Sequence, residues 1–91
     1  MSVSVRIPTI LRSYTGGAAE VKAEAGSLRA VITGLDADYP GLAGRILDDE
    51  GKLRRFVNVY VGDEDVRFAQ GLDTPVPAGA QVSVIPAVAG G

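Results

Sequence analysis

The sequence predicts an α+β fold in which a mixed β-sheet packs against one main amphipathic helix. Residues 2–7, 19–24 and 81–85 alternate polar and apolar side chains, as strands with one buried face do. Residues 28–39 carry the one long apolar stripe with helical spacing. A chain of 91 residues can bury one hydrophobic core but not two, so these elements are expected to share a single domain.

The first two strands are expected to form a hairpin. The first, at residues 2–7, is followed by Pro8, which has no backbone N–H to donate to a neighbouring strand. A loop that contains Gly16 and Gly17 then leads to the second strand at residues 19–24. One face of this second strand is expected to consist of Ala19, Val21 and Ala23.

The main helix is predicted to begin after Ser27, whose hydroxyl can accept a hydrogen bond from the first helical turn. Its apolar stripe consists of Leu28, Val31, Ile32, Leu35 and Tyr39. Pro40 and Gly41 are expected to end it. Residues 41–51 then indicate only a short helical turn and a solvated acidic loop.

The second half of the chain is predicted to contribute three more strands. Residues 56–61 are β-branched or aromatic, and a turn at residues 62–65 leads to a short partner strand at residues 66–68. We interpret the acidic turn as a hairpin tip and expect no metal site. Residues 72–79 are predicted to form a loop, because two prolines there remove hydrogen-bond donors. The last strand, at residues 81–85, should point Val82 and Val84 inward.

One amphipathic helix cannot cover both faces of such a sheet, so the other face should meet water or a partner. The element order is compatible with a β-grasp, the ubiquitin-like architecture, in which the first and last strands lie side by side. A ferredoxin-like fold would need a second helix of similar quality, and residues 41–47 are a poor candidate for one.

The composition argues against several classes of function. The chain has no cysteine, which excludes disulfides, thiolate metal sites and thiol nucleophiles, and it has no histidine, which lowers the expectation of an enzyme. A net charge of −2 gives no electrostatic footprint for nucleic acid or an anionic membrane. No apolar run approaches the roughly 20 residues of a membrane helix, and the N-terminus lacks a signal-peptide pattern. We therefore expect a cytoplasmic protein with protein or small-molecule partners.

The chain stops on "PAVAGG", and the two final glycines suggest a reactive terminus. The alternating pattern ends before this segment, so we predict a domain over residues 1–87 and a flexible tail over residues 88–91. Because glycine has no Cβ, Gly90 and Gly91 could enter a narrow channel and leave the terminal carbonyl open to attack from either side. The alternative is that the two glycines form a flexible end without a function.

Strand alternation also predicts which residues occupy the uncovered face of the sheet. The inward set is Val3, Val5, Ile7, Val57, Val59, Val61, Val82 and Val84, and the outward set is Ser4, Arg6, Phe56, Asn58, Tyr60, Ser83 and Ile85. Phe56, Tyr60 and Ile85 are the large apolar members of the outward set, and we interpret them as a candidate docking patch beside the tail. Scattered exposed apolar residues are also normal on protein surfaces, so incidental exposure is the alternative.

Several motifs carry a family resemblance along the whole chain. The "FVNVYV" strand, the "GDEDVRF" hairpin and the terminal "AGG" resemble the ubiquitin-like sulfur carriers of molybdopterin and thiamin synthesis. Within that family, "IPTILR" at residues 7–12, "RFVNVYV" at 55–61, "DEDVRF" at 63–68 and "IPAVAGG" at 85–91 resemble the branch that serves actinobacterial cysteine synthesis. Molybdopterin carriers commonly have a second proline where this chain has Ala87.

The resemblance implies that Gly91 is the reactive residue. An ATP-dependent, E1-like adenylating and sulfurtransferase enzyme would convert its carboxylate into a thiocarboxylate, with Val88, Ala89 and Gly90 in the channel of the partner. In the cysteine branch, a pyridoxal-phosphate synthase would supply an aminoacrylate from O-phosphoserine, and a zinc metallopeptidase would release cysteine. ATP and pyridoxal phosphate belong to these partners, and no cofactor is expected on this chain.

Other functions remain open at this point. The chain could be a molybdopterin-type sulfur carrier, or a ubiquitin-like modifier joined through Gly91 to lysines of other proteins, since each of these uses begins with adenylation. A plain β-grasp adaptor whose glycines are slack is a third class. An enzyme is the least favoured.

Overall fold

The computed structural model describes residues 2–55 and 57–86, and the structural statements below concern these residues. The strands are β1 (Ser2–Arg6), β2 (Glu20–Glu24), β3 (Gly26–Ser27), β4 (Val57–Val61), β5 (Glu64–Asp65), β6 (Pro75–Val76) and β7 (Gln81–Pro86). The α-helices are α1 (Leu28–Asp38) and α2 (Ala43–Ile46), and 3-10 helices span Thr9–Thr15, Val66–Phe68 and Gly71–Asp73.

The main sheet contains five strands in the order β2-β1-β7-β4-β5. The first and last strands of the chain, β1 and β7, pair in parallel at its centre, with Val5 opposite Val82, and every other pairing in this sheet is antiparallel. The mixed sheet and the side-by-side placement of the first and last strands confirm the predicted architecture.

Helix α1 supplies the layer that covers one face of this sheet. It begins as predicted, because the Ser27 hydroxyl accepts a hydrogen bond of 3.1 Å from the backbone N–H of Ala30. The backbone N–H of Leu28 donates to the carbonyl of Thr74 at 2.9 Å, which connects the start of the helix to the residue directly before β6. The predicted stripe is buried from Leu28 to Leu35, whereas Tyr39 caps the C-terminus and is half-buried.

The region predicted as a loop at residues 72–79 contains a short strand. Pro75 and Val76 pair antiparallel with Ser27 and Gly26, directly before helix α1. A proline is tolerated as the first residue of so short a strand, where its missing N–H costs no interior ladder bond. This second, two-stranded sheet holds the residues directly before helix α1 in place.

The strand that pairs with β4 is not at residues 66–68 as predicted. Val61 lies opposite Glu64, so β5 follows after only Gly62 and Asp63, and Gly62 takes a φ of +63°, which favours glycine. The Asp65 carboxylate then accepts a hydrogen bond of 2.9 Å from the backbone N–H of Arg67 and begins a 3-10 helix. The side chain therefore caps a helix where a strand was expected.

The connection between β1 and β2 also differs from its prediction as a loop. Its first part, Thr9–Thr15, is a 3-10 helix with Leu11 and Thr15 buried, and it ends at Gly16 with φ +67°. In β2 only Val21 is fully buried, Ala23 is half-buried, and Ala19 lies outside the strand and is exposed. Residues of this 3-10 helix line the same grooves as the end of β7.

Candidate functional site

The uncovered face of the sheet carries the described members of the predicted docking patch. The inward set is buried as predicted except for Val61, which is half-buried. On the opposite face, Ile85 has 47% of its surface exposed, and Tyr60 is half-buried. The predicted role of Phe56 falls on a residue outside the described ranges, as do the roles of the tail residues Val88, Ala89, Gly90 and Gly91.

The strand register places Tyr60 and Ile85 next to each other on this face. Tyr60 lies opposite Ser83, which in turn lies opposite Arg6, while Ile85 lies opposite Asn58 in the next row. Tyr60 and Ile85 are thus diagonal neighbours on adjacent strands, a relation with a Cα separation of roughly 7–8 Å. They form one continuous surface together with the hydroxyl of Ser83 and the amide of Asn58.

Arg67 orders the outer edge of this face. Its guanidinium donates to the Asn58 side-chain oxygen at 2.7 Å and to the carbonyls of Arg54 and Arg55 at 2.7 and 3.3 Å. The charged group thereby joins the 3-10 helix after β5 to the segment that enters β4. One side chain thus connects the segment after β5 both to β4 and to the residues that precede β4.

Phe68 is a candidate surface residue that the sequence reasoning missed. It is 87% exposed, more than any other large hydrophobic residue that the structure describes. In a strand at residues 66–68, Phe68 would lie on the same face as Val66. The 3-10 helix has three residues per turn, so the two side chains point in different directions, and Val66 is buried while Phe68 is exposed. The sequence signal for the exposure of Phe68 is Asp65, a residue type that commonly caps the start of a helix.

Two adjacent grooves meet at Pro86, the last described residue of the chain. The first, of about 550 Å³, is lined among others by Arg6, Ile10, Arg12, Ser83, Ile85 and Pro86. The second, of about 470 Å³, is lined among others by Ile10, Tyr14, Arg45, Arg54, Val57 and Pro86. Ile10, which is 67% exposed, belongs to both, so an apolar side chain lies between two basic grooves beside Pro86.

The acidic segments contribute no metal centre to this surface. Within residues 2–55 and 57–86, no three acidic side chains are grouped in a way that could hold a metal ion. The Asp48 carboxylate instead accepts hydrogen bonds from the backbone N–H groups of Lys52 and Glu50, and these hold its pKa below the usual range. None of the helices in the described ranges is long and apolar enough to cross a membrane.

Sequence comparison identifies relatives that cover two thirds or more of the chain. The sequence model of the ThiS family matches residues 5–91. The sulfur carrier protein CysO of Mycobacterium tuberculosis is 54% identical over 93 residues, which covers 100% of both chains. The small archaeal modifier protein 3 of Haloferax volcanii is 43% identical over 61 residues, 67% of this chain and 65% of that protein.

Structure comparison gives the same neighbourhood. The structure of the Amycolatopsis orientalis BexX/CysO complex includes a chain that is 46% identical, with a TM-score of 0.92 and coverage of 98% of this chain and 99% of that one. In that structure CysO is in complex with BexX. Helix α1, the parallel pair of β1 and β7, and the grooves beside Pro86 therefore lie on a ubiquitin-like β-grasp scaffold.

Proposed function

The chain belongs to the ThiS family of ubiquitin-like sulfur carriers, and from this membership we propose that it is a cytoplasmic carrier that delivers sulfur for cysteine biosynthesis through its C-terminal glycine. The observation that carries the proposal is the 54% identity with a sulfur carrier named CysO over the full length of both chains. The proposed reactive residue is Gly91, the last residue of the segment "IPAVAGG".

The first step is activation of the Gly91 carboxylate by an E1-like enzyme. A terminal carboxylate has a pKa of about 3.5, so it is ionised at neutral pH and resists nucleophiles. One carboxylate oxygen attacks the α-phosphorus of ATP, and pyrophosphate leaves. A sulfide sulfur then attacks the carbonyl carbon, and AMP leaves with its bonding electrons, which gives the thiocarboxylate. Without cysteine or histidine, the carrier supplies a positioned end and the partner supplies the catalytic groups.

The second step consumes the thiocarboxylate. A pyridoxal-phosphate synthase holds an aminoacrylate formed from O-phosphoserine, and the thiocarboxylate sulfur adds to its β-carbon while the α-carbon takes a proton. The resulting cysteine is joined to Gly91 as a thioester, and its free amine attacks the adjacent carbonyl to give an amide. A zinc metallopeptidase then hydrolyses this amide, which releases cysteine and restores the carboxylate.

Sulfur loading is the experiment that tests the class of protein. With its adenylating enzyme, ATP and a sulfide source, the chain should gain the mass of one sulfur in exchange for one oxygen, and the change should map to Gly91. Intact-mass spectrometry followed by fragmentation measures both. The same mixture without ATP is the control, because no leaving group forms there. An unchanged mass in the complete mixture with an enzyme that loads another carrier would contradict the proposal.

The open face of the sheet should contribute to partner binding. Exchanging Tyr60 for serine removes a half-buried aromatic group beside Ile85, and we expect it to weaken binding to the adenylating enzyme or the synthase by about 1 kcal/mol or more. Titration calorimetry measures the affinity, and circular dichroism verifies the fold. Tyr39→Ser is the matched control, because this tyrosine is also half-buried but caps helix α1. Equal affinities of the two variants for the partner would show that Tyr60 does not belong to the docking face.

Protein modification is the second candidate function. It is favoured by the 43% identity with an archaeal modifier protein over 61 residues, and it shares the adenylation step. In this case Gly91 would form isopeptide bonds with lysines, which survive denaturation and persist in a denaturing gel. A ladder of such conjugates in cell extract, absent when Gly91 is deleted, would support modification in addition to or in place of sulfur delivery.

A further inference from the structure

Basic side chains are concentrated around Pro86, the last residue that the structure describes. Arg6 and Arg12 line one of the grooves that meet at Pro86, and Arg45 and Arg54 line the other. These are four of the nine basic residues, whereas none of the eleven acidic residues lines either groove. A chain with a net charge of −2 thus presents a local positive surface around Pro86.

Three of these four guanidinium groups are held in place by their inner nitrogen. The Arg12 Nε donates to the carbonyl of Ile7 at 3.2 Å, and the Arg54 Nε donates to the carbonyl of Gly44 at 2.9 Å. The Arg45 Nε donates to the Tyr14 hydroxyl at 2.6 Å. A bond at Nε fixes the plane of the group and leaves both terminal nitrogens available for a bidentate carboxylate. Less conformational freedom is lost when such a side chain binds.

None of these arginines has an ion-pair partner within the described ranges. The ion pairs found there join Arg29 to Asp73 and Lys52 to Glu50. Glu20 lies opposite Arg6 in the β1–β2 ladder, but its carboxylate accepts a hydrogen bond from the Gln81 amide at 3.1 Å.

Asp48 is within electrostatic range of Arg54, and its carboxylate is engaged by two backbone N–H groups. Within the described ranges neither the Glu20 nor the Asp48 carboxylate forms an ion pair with the four arginines, so their terminal nitrogens can bind carboxylates of an external partner.

We propose that the four arginines, with Ile10 and Ile85 between them, dock a carboxylate-rich surface segment of the adenylating enzyme and so aim the tail at its active site. The proposal rests on the sulfur-carrier function above and names the chemistry of the partner. Charge complementarity would speed the encounter of the two proteins. It would also hold the folded domain of the carrier in one orientation while the tail enters the enzyme.

The arrangement favours a protein surface over a small anion as the occupant. A single phosphate is held by donors that converge on one point, whereas these guanidiniums are divided between two grooves that share Ile10, Val84 and Pro86. Ile10 and Ile85 are 67% and 47% exposed, and apolar groups of this kind pack against side chains of a partner.

Charge reversal tests this surface. The double variants Arg6→Glu with Arg12→Glu and Arg45→Glu with Arg54→Glu should each bind the cognate adenylating enzyme about tenfold or more weakly at low salt. The affinity of the unaltered carrier should fall as salt is raised, because exposed charges are screened, and the reversed variants should lose this dependence. Arg6→Glu alone is informative even if a double variant unfolds, since no hydrogen bond joins the Arg6 side chain to other described residues.

The matched control changes net charge by the same amount elsewhere. Arg29→Glu with Lys52→Glu removes two positive charges that line neither groove, and it should bind nearly as the unaltered carrier does. Equal weakening by the control and by the groove variants would overturn the proposal, since net charge alone would explain the effect. Saturable binding of inorganic pyrophosphate to the free carrier, lost in the groove variants, would also overturn it and indicate a small-anion site.

Failure of this surface and failure of the proposed function give different results. If the groove variants bind and gain sulfur as the unaltered chain does, the arginine surface is wrong and the carrier function stands. If the unaltered chain binds the enzyme with salt-dependent affinity but gains no sulfur, the surface stands and the carrier function is wrong.

Discussion

Deletion of Gly90 and Gly91 is expected to abolish sulfur loading while leaving the melting temperature nearly unchanged. The buried hydrophobic side chains of residues 2–55 and 57–86 lie between Val3 and Val84, and the deletion removes none of them. The deletion shortens the reach of the tail by up to roughly 7 Å and replaces a terminal glycine by Ala89, whose Cβ would obstruct the carbonyl. Calorimetric unfolding and intact-mass measurement on the same preparation check the two halves of the prediction.

Single glycine substitutions sharpen the tail experiment. Gly91→Ala should greatly slow sulfur loading, whereas Gly34→Ala, the same substitution on helix α1 where a Cβ would meet no other atom within 4 Å, should leave loading intact. A large loss of thermal stability on deletion of the tail would mean that these residues belong to the folded core. Normal loading of the truncated chain would place the reactive group elsewhere.

The strand faces were predictable from the sequence because a strand has a period of two residues. Val57, Val59, Val82 and Val84 alternate with outward residues, and their burial follows from that alternation alone. The start of helix α1 was equally predictable, since the Ser27 cap is a local interaction. Predictions of this kind hold where the determining contacts lie within a few residues.

The failures concern elements that depend on distant partners or on competing side chains. Pro75 and Val76 form a strand only because Gly26 and Ser27 lie beside them, a pairing across about half of the chain that propensity cannot reveal. Residues 66–68 were predicted as a strand, but the Asp65 carboxylate stabilises a 3-10 helix there.

The candidate site was predictable only in part. Tyr60 and Ile85 were placed on the open face by alternation, and the family resemblance supplied the tail. The arginine surface was missed because its members come from four separate segments of the chain, and only the folded chain brings them to Pro86. Of these, Arg6 alone carried a signal, since it faces outward on the strand that lies next to β7.

Formation of a cysteine adduct tests most directly that the carrier serves cysteine synthesis. The thiocarboxylate form should be mixed with a pyridoxal-phosphate synthase that already holds aminoacrylate, the electrophile specific to this route. The sulfur is a soft nucleophile, so a cysteine should become attached to Gly91, first as a thioester and then as an amide. Conversion to the amide leaves the mass of the adduct unchanged but makes it resistant to hydroxylamine.

The measurement is therefore the intact mass of the carrier before and after hydroxylamine, followed over time. We expect a cysteinyl adduct that is at first cleaved by hydroxylamine and later is not. A carrier without the thiocarboxylate should form no adduct under the same conditions. Absence of any adduct from the charged carrier, together with delivery of its sulfur to a molybdopterin precursor, would contradict the assignment to cysteine synthesis.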